Sequence, residues 1–113
     1  MKTLKIIFIV LTSLISTIGI GQEKSKKPVE INFTVDGLCD MCKDRIENAL
    51  DVKGIKFSEW SEETHNCTVV YKPTIITQKE IHQLIANVGH DTDSIKATDE
   101  VYNNIHHCCK YRK

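Results

Sequence analysis

The strongest constraint on the fold of this chain is a pair of cysteines placed directly between a strand pattern and a helix pattern. Apolar and polar side chains alternate over residues 29–35, which predicts a half-buried strand. Cys39 and Cys42 follow, and Ile46 and Leu50 then recur at helical spacing. A strand-to-helix turn brings both sulfurs beside a helix N-terminus, where free N–H groups and the helix dipole favour thiolates. The two thiols are therefore either a soft-metal ligand pair or a redox couple.

The later patterns predict the order of the remaining elements. The first helix ends before Gly54, strand patterns cover residues 55–61 and 67–72, a helix pattern covers 77–89, and a weakly patterned strand covers 92–97. This order is βαββαβ, the split βαβ arrangement of ferredoxin-like α+β proteins. We therefore expect a four-stranded antiparallel sheet with both helices on one face.

Local signals refine two of these elements. Phe57 and Trp60 have opposite parity in the second strand, so both can face the core only if that strand contains a bulge. Thr77 and Glu80 have capping-box spacing at the start of the second helix, and Gly89 is suited to end it.

The N-terminus has the pattern of an export signal. Two lysines precede an uncharged, mostly apolar stretch over residues 6–20, and small residues precede a predicted cleavage near Gly21. We therefore expect a signal peptide over residues 1–21, a flexible leader over 22–28, and a mature protein in the periplasm or secreted. The alternative is an uncleaved anchor, although a membrane-spanning helix needs roughly 20 apolar residues.

Charge and cysteine content exclude some classes of function. The chain has 15 basic and 15 acidic residues, and a near-neutral domain lacks the basic face expected of a nucleic-acid binder. Disulfides persist outside the cytoplasm, but the cysteines number five, so they cannot all pair within one chain.

The sequence around the first cysteine pair resembles the heavy-metal-associated domain family of copper chaperones, metal-pump N-terminal modules and periplasmic mercury-binding proteins. The family signature is Gly-Met-x-Cys-x-x-Cys, and this chain has Gly-Leu-Cys-Asp-Met-Cys at residues 37–42. Further family landmarks are Gly-Ile at 54–55, Val-Val-Tyr-Lys-Pro at 69–73 and Val-Gly-His-Asp at 88–91. The resemblance covers roughly residues 29–97 and implies the ferredoxin-like fold.

The loop departs from the family pattern in two ways. Leu38 replaces the usual methionine, and Cys39 follows it without the intervening residue. In the family the methionine packs inward beneath the loop. Leu38 can do the same because its volume is similar, or the shorter spacing can hold Cys39 differently.

The resemblance implies that Cys39 and Cys42 bind a soft ion, Cu(I) or Hg(II) first and Zn(II) less readily, since soft sulfur selects soft ions. A plain disulfide is the alternative state of these two thiols. His90 follows the second helix, where the family usually has a Tyr or Phe that shields the metal. His90 is either a third ligand or hydrogen-bond donor to a sulfur, or an exposed loop residue.

The C-terminal tail, residues 98–113, is the densest in candidate ligands. It contains a His-His-Cys-Cys run in which His107, Cys108 and Cys109 are further metal-ligand candidates. The alternatives are a disulfide from the tail to the body and a frayed end without a role. A disulfide between the adjacent cysteines is disfavoured by strain.

The remaining candidates have ordinary structural interpretations. Cys67 shares the inward parity of the third strand and is expected to be a core residue. His65 and His82 are expected on the surface, and Trp60 is expected to pack in the core.

These observations predict a monomeric, non-enzymatic protein that captures a soft metal ion and passes it to a partner. The expected partner is a metal-transporting membrane protein or another metal-binding domain, and not a nucleic acid. A thiol–disulfide redox protein is the competing hypothesis, since its CxxC also lies at a helix N-terminus.

Overall fold

The structure is a computed structural model that describes residues 27–113. The predicted signal peptide over residues 1–21, and the leader before residue 27, lie outside the described residues. The described chain contains three strands, three α-helices and one 3₁₀ turn: β1 (Val29–Thr34), α1 (Asp40–Ala49), β2 (Ile55–Trp60), β3 (Asn66–Tyr71), α2 (Gln78–Asn87), α3 (Asp99–Asn103) and the 3₁₀ turn (His107–Cys109). Over residues 27–113, every helix is too short or too polar to cross a membrane.

The sheet is antiparallel with the order β1-β3-β2, so the prediction of four strands is wrong for the described chain. Where the fourth strand was expected, at residues 92–97, a single bridge joins Val35 to Thr92. The Thr92 hydroxyl accepts hydrogen bonds from the N–H groups of Ser94 (3.1 Å) and Ile95 (2.9 Å). Such side-chain bonds turn the backbone and compete with strand pairing, so the segment leaves the sheet edge after one residue.

The two aromatic residues of strand β2 face opposite sides of the sheet, as their opposite parity in a regular strand requires. The pairing with β3 is regular from Phe57 to Trp60, and the register shift lies earlier, between Ile55 and Phe57. Phe57 is 49% exposed, whereas Trp60 is only 1% exposed. The sequence expectation that both could not face inward in a regular strand is consistent with this geometry.

One core joins the sheet to both long helices. It contains Ile46 and Leu50 of α1, Ile81 and Ile85 of α2, and the inward side chains of the sheet, among them Phe33, Cys67, Val69 and Tyr71. Helix α2 begins as predicted, because the Thr77 hydroxyl accepts the Glu80 N–H at 3.1 Å. The helices and sheet together hold the β1–α1 turn in place.

His82 does not lie on the solvent side of α2, so that prediction is wrong. Its side chain is 6% exposed and packs against the Phe33 ring, with Nδ1 2.7 Å from the Thr92 hydroxyl. The segment that turns at Thr92 covers this part of the helix, which helical periodicity alone cannot show.

The C-terminal tail is packed against the domain, so a frayed end is excluded. Gly89 ends α2 with φ of +103°, and any Cβ there would overlap the side chain of Ile105. Farther on, Arg112 donates to both carboxylate oxygens of Asp91, at 3.1 and 2.7 Å. A bidentate pair of this kind has a specific geometry, and it fixes the tail beside the loop after α2.

Candidate metal centre

The β1–α1 turn is supported from below by Trp60. The indole N–H donates to the Val35 carbonyl at 2.9 Å. A Cβ on Gly37 would lie 2.9 Å from the indole ring, so only glycine lets the turn pass this closely. Leu38 points away and is 49% exposed, so the inward packing proposed for it is wrong. Trp60 already fills the space beneath the turn.

This support places the first two thiols at the start of α1. Cys39 is the N-cap residue, with an extended backbone at φ −147° and ψ 177°, and is half-buried. Cys42 lies in the first helical turn and is fully buried. Their sulfurs are 3.6 Å apart, and the Leu38 N–H points at the Cys42 Sγ from 3.3 Å.

The tail brings two further thiols to the same place. Cys108 Sγ lies 3.5 Å from Cys39 Sγ, and Cys109 Sγ lies 3.7 Å from it. All five cysteines are free thiols. Cys39 is therefore surrounded by three sulfurs, one from its own loop and two from a segment about 70 residues later.

His90 completes the group with a nitrogen and is fully buried, so the exposed-loop alternative is excluded. Its Nδ1 lies 2.8 Å from the Asp36 carbonyl, which only accepts hydrogen bonds, so Nδ1 carries the proton. Its Nε2 is then a lone pair, buried and without a hydrogen-bond partner among the described residues. Burial lowers the pKa of His90, which keeps the ring neutral. A neutral imidazole oriented through its other nitrogen is the form that binds metals.

The candidate ligands form two sets of three, each with its atoms within 4.8 Å of one another. One set is Cys39, Cys108 and Cys109, and the other is Cys42, His90 and Cys109. His107, also predicted as a candidate, is exposed and belongs to neither set in the described chain.

Two residues outside the predicted set also approach Cys108. The His106 Nδ1 lies 3.1 Å from its sulfur, and the Met41 thioether lies 3.4 Å from it. Met41 is the second variable residue of the CxxC motif, and nothing in the motif predicts a thioether near the metal at that position. His106 was visible only as part of the His-His-Cys-Cys run.

The thiols differ in acidity because their surroundings differ. Burial raises the pKa of Cys39, but hydrogen bonding from the Cys42 backbone and the Cys108 side chain outweighs it and brings the pKa to about 7. Burial is the main cause that raises the pKa of Cys109. The pKa of Cys108 is also raised, mainly by its hydrogen bond to Cys39. In the metal-free protein Cys39 is therefore the favoured thiolate and nucleophile.

This difference predicts the pH dependence of alkylation. In the reduced, metal-free protein, the iodoacetamide reaction rate of Cys39 should rise with pH around a midpoint near 7, against an ordinary value of 9.0. The depressed pKa also means that the thiolate contributes stability above pH 9, which is lost as pH falls through 7. Peptide mass spectrometry after timed alkylation measures the profile.

The matched comparison is Cys108→Ala, which removes one of the hydrogen bonds that lower the pKa of Cys39. The midpoint should then move to higher pH, whereas Cys67→Ala should leave it in place. A Cys39 midpoint near 9 in the unmodified protein would contradict the prediction.

Cys67 lies apart from this centre, as the sequence predicted. It is fully buried in β3, and burial raises the pKa of its thiol to about 12. A protonated thiol in an apolar core is a packing residue.

Tyr111 and Arg112 position the loop that carries His90, and the sequence had not singled them out. The Tyr111 hydroxyl accepts the Asp91 N–H and donates to the Gly89 carbonyl, both at 2.8 Å. Its ring stacks on His90 with the centroids 5.6 Å apart. No local pattern marks these residues, since their partners lie about 20 residues earlier.

Known proteins match the part of the chain that contains the β1–α1 turn and His90. The profile of the heavy-metal-associated domain matches residues 32–91, more than half of the chain. The fold is similar to a CopZ metallochaperone, with a TM-score of 0.55 and 23% identity over 57% of this chain and 98% of the other. No protein of curated function matches the sequence at a significant level.

Two further solved structures have similar folds. One is the N-terminal domain of a potential copper-translocating P-type ATPase from Bacillus subtilis in its Cu(I)-loaded state, with a TM-score of 0.55 and 22% identity over 63% of this chain and 99% of the other. The other is oxidised MerP from Ralstonia metallidurans CH34, with a TM-score of 0.50 and 16% identity over 57% of this chain and 96% of the other.

Proposed function

The chain belongs to the heavy-metal-associated domain family, and we propose that it is an exported carrier of a soft metal ion. Cys39 and Cys42 capture Cu(I) or Hg(II), and they bind Zn(II) more weakly. The protein then passes the ion to a second protein. Family membership supports soft-metal binding, while the choice of ion, the export and the transfer are part of the proposal.

The observation that carries the proposal is the pairing of two thiols at the N-terminus of α1. Their sulfurs lie 3.6 Å apart, and Cys39 has a pKa near 7. A thiol that ionises near neutral pH binds soft ions without a large free-energy cost of deprotonation. Sulfur ligands also select Cu(I) and Hg(II) over harder ions. The similarity to a metallochaperone and to a Cu(I)-loaded domain favours Cu(I).

Transfer then proceeds by ligand exchange. A thiol of the partner binds the ion as a thiolate, one of the original sulfurs leaves, and it takes up the proton that the partner has lost. Cys39 and Cys108 are half-buried whereas Cys42 and Cys109 are fully buried, so attack begins on the Cys39 side. Leu38 and Met41 are exposed beside this opening and supply an apolar contact for the partner.

The partner in this proposal is a metal-transporting membrane protein or another metal-binding domain. One of the similar structures is itself the N-terminal domain of a potential copper-translocating ATPase. The export-signal pattern over residues 1–21 supports an encounter in the periplasm or outside the cell.

Competition titration tests the metal preference. The reduced protein is titrated without oxygen with Cu(I), Hg(II) and Zn(II), each against a chromophoric chelator of known affinity. We expect Cu(I) and Hg(II) to displace bound Zn(II) and not to be displaced by it. Retention of Zn(II) against an equal concentration of Cu(I) would contradict a soft-metal carrier.

A thiol–disulfide redox role is the second candidate, and the same acidic Cys39 favours it. Its sulfur lies 3.5–3.7 Å from three others, so disulfide formation needs only a small movement. With a small-molecule disulfide added as the terminal oxidant, catalytic turnover of a dithiol substrate by the metal-free protein would support this role. Oxidation that stops after one equivalent of substrate would contradict it.

A further inference from the structure

The tail supplies more ligands than a two-cysteine site uses. Cys108 and Cys109 come from a segment beyond residues 32–91, the part of the chain that the family profile matches. Both nevertheless lie within 3.7 Å of the Cys39 sulfur. The tail is held there by the Arg112–Asp91 ion pair and by Ile105 packed on Gly89. Its position is thus determined by the fold.

We propose that the tail converts the CxxC loop into a closed centre that binds two monovalent soft ions. One ion is held by Cys39, Cys108 and Cys109, the other by Cys42, His90 and Cys109, and the Cys109 thiolate bridges them. This proposal rests on the soft-metal function proposed above and extends it from one ion to two.

His90 is independent evidence for the second ion position. Its Nε2 is fully buried and has no partner among the described residues, which is costly for a polar atom. The Asp36 carbonyl fixes the proton on Nδ1, so the Nε2 lone pair is free to bind an ion. Cys42 and Cys109, whose sulfurs lie within 4.8 Å of each other and of a ring nitrogen of His90, complete that position.

The sulfur spacings suit coordination after a small expansion. With metal–sulfur bonds of about 2.3 Å, three sulfurs around an ion in one plane lie about 4 Å apart. The distances from Cys39 to Cys108 and Cys109 are 3.5 and 3.7 Å. Cys39 Sγ therefore needs to separate from these two sulfurs by only a few tenths of an ångström to admit an ion.

Charge does not oppose a second ion. Each coordinated thiol releases its proton to solvent, so the first ion with the thiolates of Cys39, Cys108 and Cys109 has an excess of two negative charges. The second ion adds one positive charge and only the Cys42 thiolate, because Cys109 is shared and the imidazole is neutral, so the excess stays at two in a place where buried charge is costly.

Native mass spectrometry of the reduced protein, titrated anaerobically with Cu(I) alone, tests the proposal. We expect saturation at two Cu(I) per chain and a copper–copper scattering contribution in the X-ray absorption spectrum. Cys109→Ser should hold at most one ion, because it removes the shared ligand. Cys67→Ala, which changes an equally buried cysteine outside the centre, should still bind two.

Two controls keep the outcomes distinct. If Cys109→Ser fails to fold by circular dichroism, Cys108→Ser replaces it, since this half-buried residue serves one ion alone. Saturation of the unmodified protein at one Cu(I), or two ions retained in either variant, would overturn the two-ion centre and leave the carrier function intact. Absence of Cu(I) binding altogether would overturn the carrier function as well.

Discussion

Replacing Cys39 and Cys42 together with serine is expected to lower the Cu(I) affinity of the reduced protein by on the order of 10⁴-fold. A four-ligand zinc site contributes roughly 10–16 kcal/mol, or about 3 kcal/mol for each ligand, which is about 10²-fold per thiolate lost. The affinity is measured by competition with a Cu(I) chelator. The residual binding comes from Cys108, Cys109 and His90, which the structure places beside the loop.

Cys67→Ala is the matched control for the loss of a thiol. Cys67 lies in the core on β3 and belongs to neither ligand set, so its replacement should leave the Cu(I) affinity within a few-fold. An affinity unchanged by the Cys39 and Cys42 replacements would show that the CxxC loop is not the metal site. The function would then have to be sought in the tail.

Trp60→Ala is expected to cause the largest loss of stability, about 3–5 kcal/mol. The indole is 1% exposed, donates to the Val35 carbonyl and fills the space beneath Gly37. A small domain has roughly 5–15 kcal/mol of stability in total, so this single change removes a large fraction. Urea unfolding followed by circular dichroism measures the difference.

Two aromatic substitutions separate the contributions of apolar packing and of the hydrogen bond to the stability that Trp60 provides. Trp60→Phe keeps most of the apolar contact but leaves the Val35 carbonyl without its donor, which costs about 1–3 kcal/mol. Phe57→Ala, on the exposed side of the same strand, should cost less than about 1 kcal/mol. Equal losses at Trp60 and Phe57 would contradict the assignment of Trp60 as the support of the loop.

Short-range patterns were sufficient for most of the fold. Alternation over residues 29–35 identified β1, and the Thr77–Glu80 capping box identified the start of α2. These features depend on side chains a few residues apart, so the sequence contains them directly. The position of the CxxC motif between a strand and a helix was predictable from the sequence for the same reason.

The incorrect predictions for His82 and Leu38 concern contacts between distant segments, whereas the fourth strand was prevented by local hydrogen bonds. The fourth strand is absent from the described chain because the Thr92 hydroxyl turns the backbone. His82 is buried because this turn covers it, and Leu38 faces outward because Trp60 already occupies the space below. Periodicity and volume do not report which distant segment packs against a given side chain.

By itself, the sequence determined that two thiols lie at a strand-to-helix turn, and the βαββαβ pattern with its resemblance to the heavy-metal-associated domain family made a soft-metal ligand pair the favoured interpretation. Only the tertiary structure decided what surrounds that pair. Cys108 and Cys109 reach Cys39 across about 70 residues, and His90 is oriented by a carbonyl 54 residues earlier. Ligand type is a property of a residue, but a coordination sphere is a property of distances, which the packing of α2, the tail and the loop establishes.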